Sequence, residues 1–262
     1  MLKKLIDFIV FGNIWISLGA VGVSIFTFIL CDINIDIYYL NLVFFATLFS
    51  YNLQNLSQRI IHNERSKQMV WIQSNYSALK VIILVSLFSA AVFAYRSLSW
   101  IAVSLSLPFL FLVIFYRFSL FKQIKLRTIP GIKIFIIAMC WSWTCSLLPQ
   151  LLFTNQINWL VVLFVLIYVF VITIPFDIRD MSFDEQIHTI PQMIGLKKSF
   201  ILLMTILLIL LSYFIFRQHY KLALFLLITL LILLPSIKKY NNEYYYLLLI
   251  DGLLILMPIF VL

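Results

Sequence analysis

Apolar residues in this chain come in long runs separated by short polar segments. Nine runs can be drawn: Ile9–Leu30, Ile37–Leu56, Ala78–Tyr95, Ser99–Tyr116, Ile132–Leu152, Trp159–Phe176, Phe200–Phe216, Leu222–Ile237 and Tyr244–Leu262. The hydrocarbon core of a bilayer is about 30 Å thick, so a helix that crosses it needs roughly 20 mostly apolar residues. The pattern therefore predicts an all-α polytopic membrane protein, a bundle of nine transmembrane helices. Lys3 and Lys4 precede a first run too long for a cleavable signal sequence, which reads as the first membrane helix. Gly and Pro are sparse and no polar linker divides the chain, so residues 1–262 read as one domain.

Composition agrees. Hydrophobic residues make up 64% of the chain and charged residues 11%, against about 45–50% and about 25% in soluble domains. The net charge of +9 would suggest nucleic acid for a soluble protein. Here it points to inside loops lying against anionic lipid, and no nucleic-acid partner is expected. With the N-terminus inside, the outside segments hold only Arg96, Arg217 and Lys221, and the other 16 of the 19 Lys and Arg fall inside. That asymmetry predicts an odd number of spans in the cytoplasmic membrane, with the C-terminus outside. Cys31, Cys140 and Cys145 form no CxxC pair and read as buried thiols.

The long polar loops all fall on the inside, after spans two, four and six, so any chemistry is expected there. The most informative segment follows the sixth run: Pro175-Phe176-Asp177-Ile178-Arg179-Asp180-Met181-Ser182-Phe183-Asp184. Asp177, Asp180 and Asp184 stand at i, i+3 and i+7, which places three carboxylates on one helix face. Acids at a membrane boundary call for a cation or a basic partner. A divalent metal holding a phosphorylated ligand is one solution. A solvated loop with Arg179 as partner is the plainer one. After the second run, Asn52, Asn55 and Arg59 repeat the same spacing. Their plainer role is hydrogen bonding between helices for the amides and topology for the cation. Between them lies a basic stretch with Arg117, Lys122, Lys125 and Arg127, and then Lys133, which starts a span and is expected to point into a site. Together these groups suit a diphosphate, with metal bridging its oxygens and Lys or Arg neutralising the rest.

In these residues the chain resembles the UbiA superfamily of intramembrane prenyltransferases. The likeness covers span number, topology and both motif positions. The family's second motif, Asp-x-x-Asp-x-x-x-Asp, is complete at Asp177, Asp180 and Asp184, and the flanking FDIRD segment, Thr189-Ile190-Pro191 and Gly195 are also similar. The first motif, Asn-Asp-x-x-Asp-x-x-x-Asp, here reads Tyr51-Asn52-x-x-Asn55-x-x-x-Arg59. Two acids have become amides and one a cation, so the expected Mg²⁺ content falls, to one ion on the second motif. The resemblance implies transfer of an isoprenyl group from its diphosphate to an aromatic or other lipophilic acceptor. Asp177, Asp180 and Asp184 would be the catalytic metal ligands; Asn52, Asn55, Arg59, Lys133 and Arg179 would bind substrate. A membrane-embedded cavity on the inside face would hold it, and aromatic residues such as Trp141, Trp143, Tyr168 and Phe170 would be available to wall off water.

Two other readings stay open. A non-catalytic relative would keep the fold and bind a lipid, an isoprenoid or a protein partner. A secondary transporter would show broken helices at the midplane, and no Gly/Pro pair marks one. His62, His188 and His219 lie on separate segments, so no His-based metal site is expected. Asp251 lies inside the last run beside Gly252, and an acid at that depth is a functional candidate.

Overall fold

The computed structural model describes residues 2–56, 66–115, 129–181, 189–238 and 242–262. Among these residues every regular element is helical. We number them α1 (Leu2–Phe11), α2 (Ile14–Leu30), α3 (Ile37–Leu56), α4 (Lys67–Ser74), α5 (Tyr76–Ser97) and α6 (Trp100–Phe115). There follow α7 (Ile132–Phe153), α8 (Trp159–Asp180), α9 (Ile190–Ile194), α10 (Leu196–Phe216), α11 (Tyr220–Leu233) and α12 (Tyr245–Phe260).

Five helices are long and apolar enough to cross a bilayer, or six if α1 and α2 count as one bent span. The first apolar run is therefore not a straight rod. It breaks at Gly12-Asn13 and bends by 59°. Asn13 takes the left-handed conformation, φ 63°, which Asn tolerates better than most residues. α3 has 20 residues, but Asn41, Asn52, Gln54 and Asn55 dilute it. α6 and α12 are shorter apolar helices.

The helices pack against one another in pairs. α3 lies along α5, α7 along α8, α10 along α11, and α2 packs on both α3 and α12. Almost no water-free driving force separates helix from lipid, so close approach matters most. Gly22 shows it: a Cβ there would sit 2.5 Å from the Leu254 carbonyl oxygen. Trp15 strengthens the same contact by donating from Nε1 to the Leu248 carbonyl at 3.0 Å. That carbonyl belongs to a π-helical turn, Tyr245–Ile250, which opens α12 just before Asp251. A second π-helical turn, Trp143–Leu147, interrupts α7. Cys145 is buried in the core beside it, while Cys31 and Cys140 are half-buried; all three are free thiols.

One element, α4, was not legible in the apolar pattern. α4 is short and capped by Ser66, whose hydroxyl accepts from the Met69 amide. Glu243 adds a second cap from a distant segment, accepting from the Lys67 and Gln68 amides at 2.6 and 2.8 Å. A carboxylate suits a helix N-terminus, where amides lack partners and the dipole is positive. Tyr244 donates to Asp7 on α1, and the Lys67 ammonium lies 5.5 Å from the Tyr244 ring centre. α4 is thus tied to both chain ends.

Candidate functional site

α8 does not stop at Phe176 but continues through Pro175 to Asp180. Pro175 lacks the amide that would bond to the carbonyl of residue 171. The helix persists because both sides are packed: Ile174 and Ile178 are fully buried. Asp177 and Asp180 therefore sit on one face of its last turn. Gly131, with φ 69°, starts α7 in a backbone conformation that favours glycine. Lys133 follows in the first turn of α7, opposite that face.

The Lys133 ammonium donates to Asp177 Oδ1 at 2.6 Å and lies 3.8 Å from Asp180 Oδ2. Arg179 Nε donates to Asp180 Oδ1 at 2.7 Å. The Arg179 guanidinium also spans two aromatic faces, 5.4 Å from the Phe176 ring centre and 5.2 Å from that of Tyr246. Asp177 is only 1% exposed and Lys133 16%, so this pair is held in a low-dielectric setting where an unpaired charge is costly. Two acids and two bases here balance in charge.

This network borders a polar cavity of about 180 Å³. Lys133, Arg179, Asp180, Asn55, Tyr51 and Asp251 all line it. Asn55 is 7% exposed, and its Nδ2 has no hydrogen-bond partner among the described residues. On the other side of Tyr51 lies an open apolar cavity of about 410 Å³, lined by α3, α5, α6 and α7. Tyr51, Gln54, Ile137 and Trp141 line both cavities. Trp141 Nε1 donates to the Tyr51 hydroxyl at 3.3 Å, which fixes the shared wall.

The residues singled out in the sequence separate into three groups. Lys133, Asp177, Arg179 and Asp180 meet in one network, with Asn55 on the same cavity. Asn52 is elsewhere: it is fully buried and does not line the cavity. Its Nδ2 donates to the Gly12 and Leu48 carbonyls at 3.0 and 2.8 Å, and its Oδ1 accepts from Asn13 at 3.0 Å. Asn52 thus closes the break between α1 and α2. Arg59 and Asp184 lie outside the described residues, as do His62, His188, Arg117, Lys122, Lys125 and Arg127. Of the aromatic candidates, Trp141 lines both cavities, Trp143 lines the apolar one and Tyr168 packs in the core.

Gln68 and Asn13 were not singled out by sequence, yet both reach the polar cavity. No local signal could have found Gln68, because the Glu243 cap that positions α4 comes from 175 residues away. Among the described residues, no group of three or more His, Cys, Asp or Glu side chains could hold a metal ion. Asp177 is committed to Lys133. Asp180, 22% exposed and lining the cavity, is held by Arg179 at 2.7 Å and lies 3.8 Å from Lys133. Magnesium is often held by one or two carboxylates plus substrate phosphates. An ion arriving with a phosphorylated ligand would meet Asp180 at the cavity, in competition with Lys133 and Arg179.

No protein-family model, no curated protein and no solved structure matches this chain.

Proposed function

We propose that the chain is a UbiA-like membrane protein that binds an isoprenyl diphosphate and transfers its isoprenyl group to a lipophilic acceptor. One observation carries this reading: a polar cavity with two cations and an apolar cavity share a wall. An amphiphile with an anionic head and a hydrocarbon tail matches that pair. The tail lies among residues such as Leu87, Leu107, Leu110 and Trp143. The head lies against Lys133 and Arg179, with the free Asn55 amide as a further donor. Nine spans with the N-terminus inside complete the proposal, and the polar cavity then faces the inside of the cytoplasmic membrane.

In this reading the protein's share of the chemistry is electrostatic. A departing diphosphate gains charge at the oxygen that leaves carbon, and preorganised cations stabilise it more in a dry site than in water. Mg²⁺ arriving with the diphosphate would supply further Lewis-acid stabilisation. Lys133 and Arg179 hold the head, and Asp177 and Asp180 hold those two cations in place. Tyr51 and Trp141 present aromatic faces where an allylic cation would form, and exclude water there.

A non-catalytic lipid-binding role is favoured by a different observation. Both acids already have basic partners, Lys133 at 2.6 Å and Arg179 at 2.7 Å, so no metal is needed for their charge. Binding of farnesyl and geranylgeranyl diphosphate to detergent-purified protein separates the two. Transfer predicts Mg²⁺-dependent binding that Asp177→Asn/Asp180→Asn abolishes. Binding indifferent to Mg²⁺ and to that variant supports the lipid-binding role, and no binding removes the diphosphate altogether.

A further inference from the structure

Besides Asp180 of the ion-pair network, one further acid lines the polar cavity. Asp251 is 7% exposed, lines the polar cavity and lies in the short apolar helix α12. Among the described residues it has no basic group within ion-pairing distance and no hydrogen-bond donor. Arg179 is the cation that acts on Asp251 across the cavity, but its own ion pair is with Asp180. A buried acid without a partner is costly to retain.

Its placement is also fixed from several sides. Gly22 lets α12 approach α2 until backbone meets backbone at Leu254. Trp15 ties the preceding turn at Leu248, and the π-helical turn Tyr245–Ile250 ends immediately before it. The charged and titratable groups facing the same cavity are Lys133 from α7, Arg179 and Asp180 from α8, and Tyr51 from α3. The side chains reaching it from α2 and α4, and Asn13 at the break, carry no charge: Ile16, Gln68 and Asn13. Asp251 shares the polar cavity with Tyr51, which belongs to the wall common to both cavities. An amphiphile lodged in both would carry its head-to-tail bond past that wall. Asn55 Nδ2, buried and unpartnered on the same cavity, independently marks it as built for a polar ligand.

We propose that Asp251 is the proton acceptor for a hydroxyl-bearing acceptor in the transfer step. The inference rests on the transfer reading above. The bond between the allylic carbon and the diphosphate oxygen breaks, and its electron pair stays on diphosphate. A lone pair of the acceptor hydroxyl forms the new carbon–oxygen bond. The hydroxyl proton passes to a carboxylate oxygen of Asp251, which releases it to water when the product leaves.

The test uses the full chain in lipid vesicles with farnesyl diphosphate and Mg²⁺, offering water, geraniol or a simple phenol as the hydroxyl. Donor binding, product formation and the pH profile are measured for wild type, Asp251→Asn and Asp251→Glu. The expected Asp251→Asn protein binds the donor with a Kd within about twofold of wild type, while kcat falls roughly 100-fold, within the range of general-base catalysis. It also loses the fall in rate that the wild type shows towards acid, and Asp251→Glu recovers part of the rate. An unchanged kcat and pH profile in Asp251→Asn overturns the proposal. So does a loss of donor binding that accounts for the whole loss of rate. Wild type that binds the donor but turns over none of the three hydroxyls overturns it while sparing the diphosphate site. Wild type that does not bind the donor overturns the transfer reading itself.

Discussion

Lys133 and Asp177 form the most consequential side-chain pair in the described protein, because Asp177 is 1% exposed. Removing one member of a buried pair leaves the other uncompensated, at a cost of about 3–5 kcal/mol. Lys133→Met should therefore destabilise the protein by an amount of that order. Adding Asp177→Leu to Lys133→Met should restore much of the loss, since a packed apolar pair is often as stable as a buried ionic one. Thermal unfolding of the two variants in one detergent measures the difference. Asn52 tests a separate residue-level role. Asn52→Leu strips partners from the Gly12 carbonyl and from the Asn13 amide group. It should cost roughly 1–3 kcal/mol for each buried polar group left without a partner. The same thermal measurement reads it, and loss of the 59° bend should appear as a changed distance between spin labels on α1 and α2.

Among the elements, α2 and α12 depend on contact without an intervening side chain. Gly22→Val would drive a branched side chain into the Leu254 backbone. The helices must then separate, and overpacking of this kind typically costs about 1–3 kcal/mol. Lowered melting temperature checks it. α4 depends on Glu243 instead. Glu243→Ala removes the acceptor of two amide bonds, and loss of a cap costs roughly 0.5–2 kcal/mol. Faster amide hydrogen exchange at Lys67 and Gln68, with little change in α8, is the expected result. These two elements also show what a sequence can and cannot disclose. The helical character and the long apolar stretches follow from composition over many residues, so they were legible. The i, i+3 relation of Asp177 and Asp180 was legible too, because one helix imposes it. The partnership of Asn52 with Asn13 was not, since it needs a left-handed residue and a bend. Nor was the Glu243 cap, which spans 175 residues to Gln68 and leaves no local trace.

For the whole molecule, length and composition support five or six crossings among the described residues, whereas the apolar pattern predicts nine. The gap has physical causes. α3 carries enough amides to dilute its apolarity, and α6 and α12 are short. Single cysteines placed at Lys3, Arg96, Arg217 and Leu262 in a chain without its own three cysteines test the topology. Nine spans predict that only the last three react with an impermeant reagent from outside intact cells. Labelling of Lys3 from outside would reverse the orientation. The ion pair at the polar cavity also has a history in time. Lys133 belongs to a helix made before the one that carries Asp177, and 44 residues separate them. At about 5–20 residues per second of synthesis, Lys133 waits roughly 2–9 s without its partner. A lysine in the first turn of a helix can keep its ammonium in the interface during that interval. Asp251 is synthesised last, when the two cations of the network are already taken. The order in which the ribosome delivers these residues thus sorts them: the early charges neutralise one another and the late one is left over.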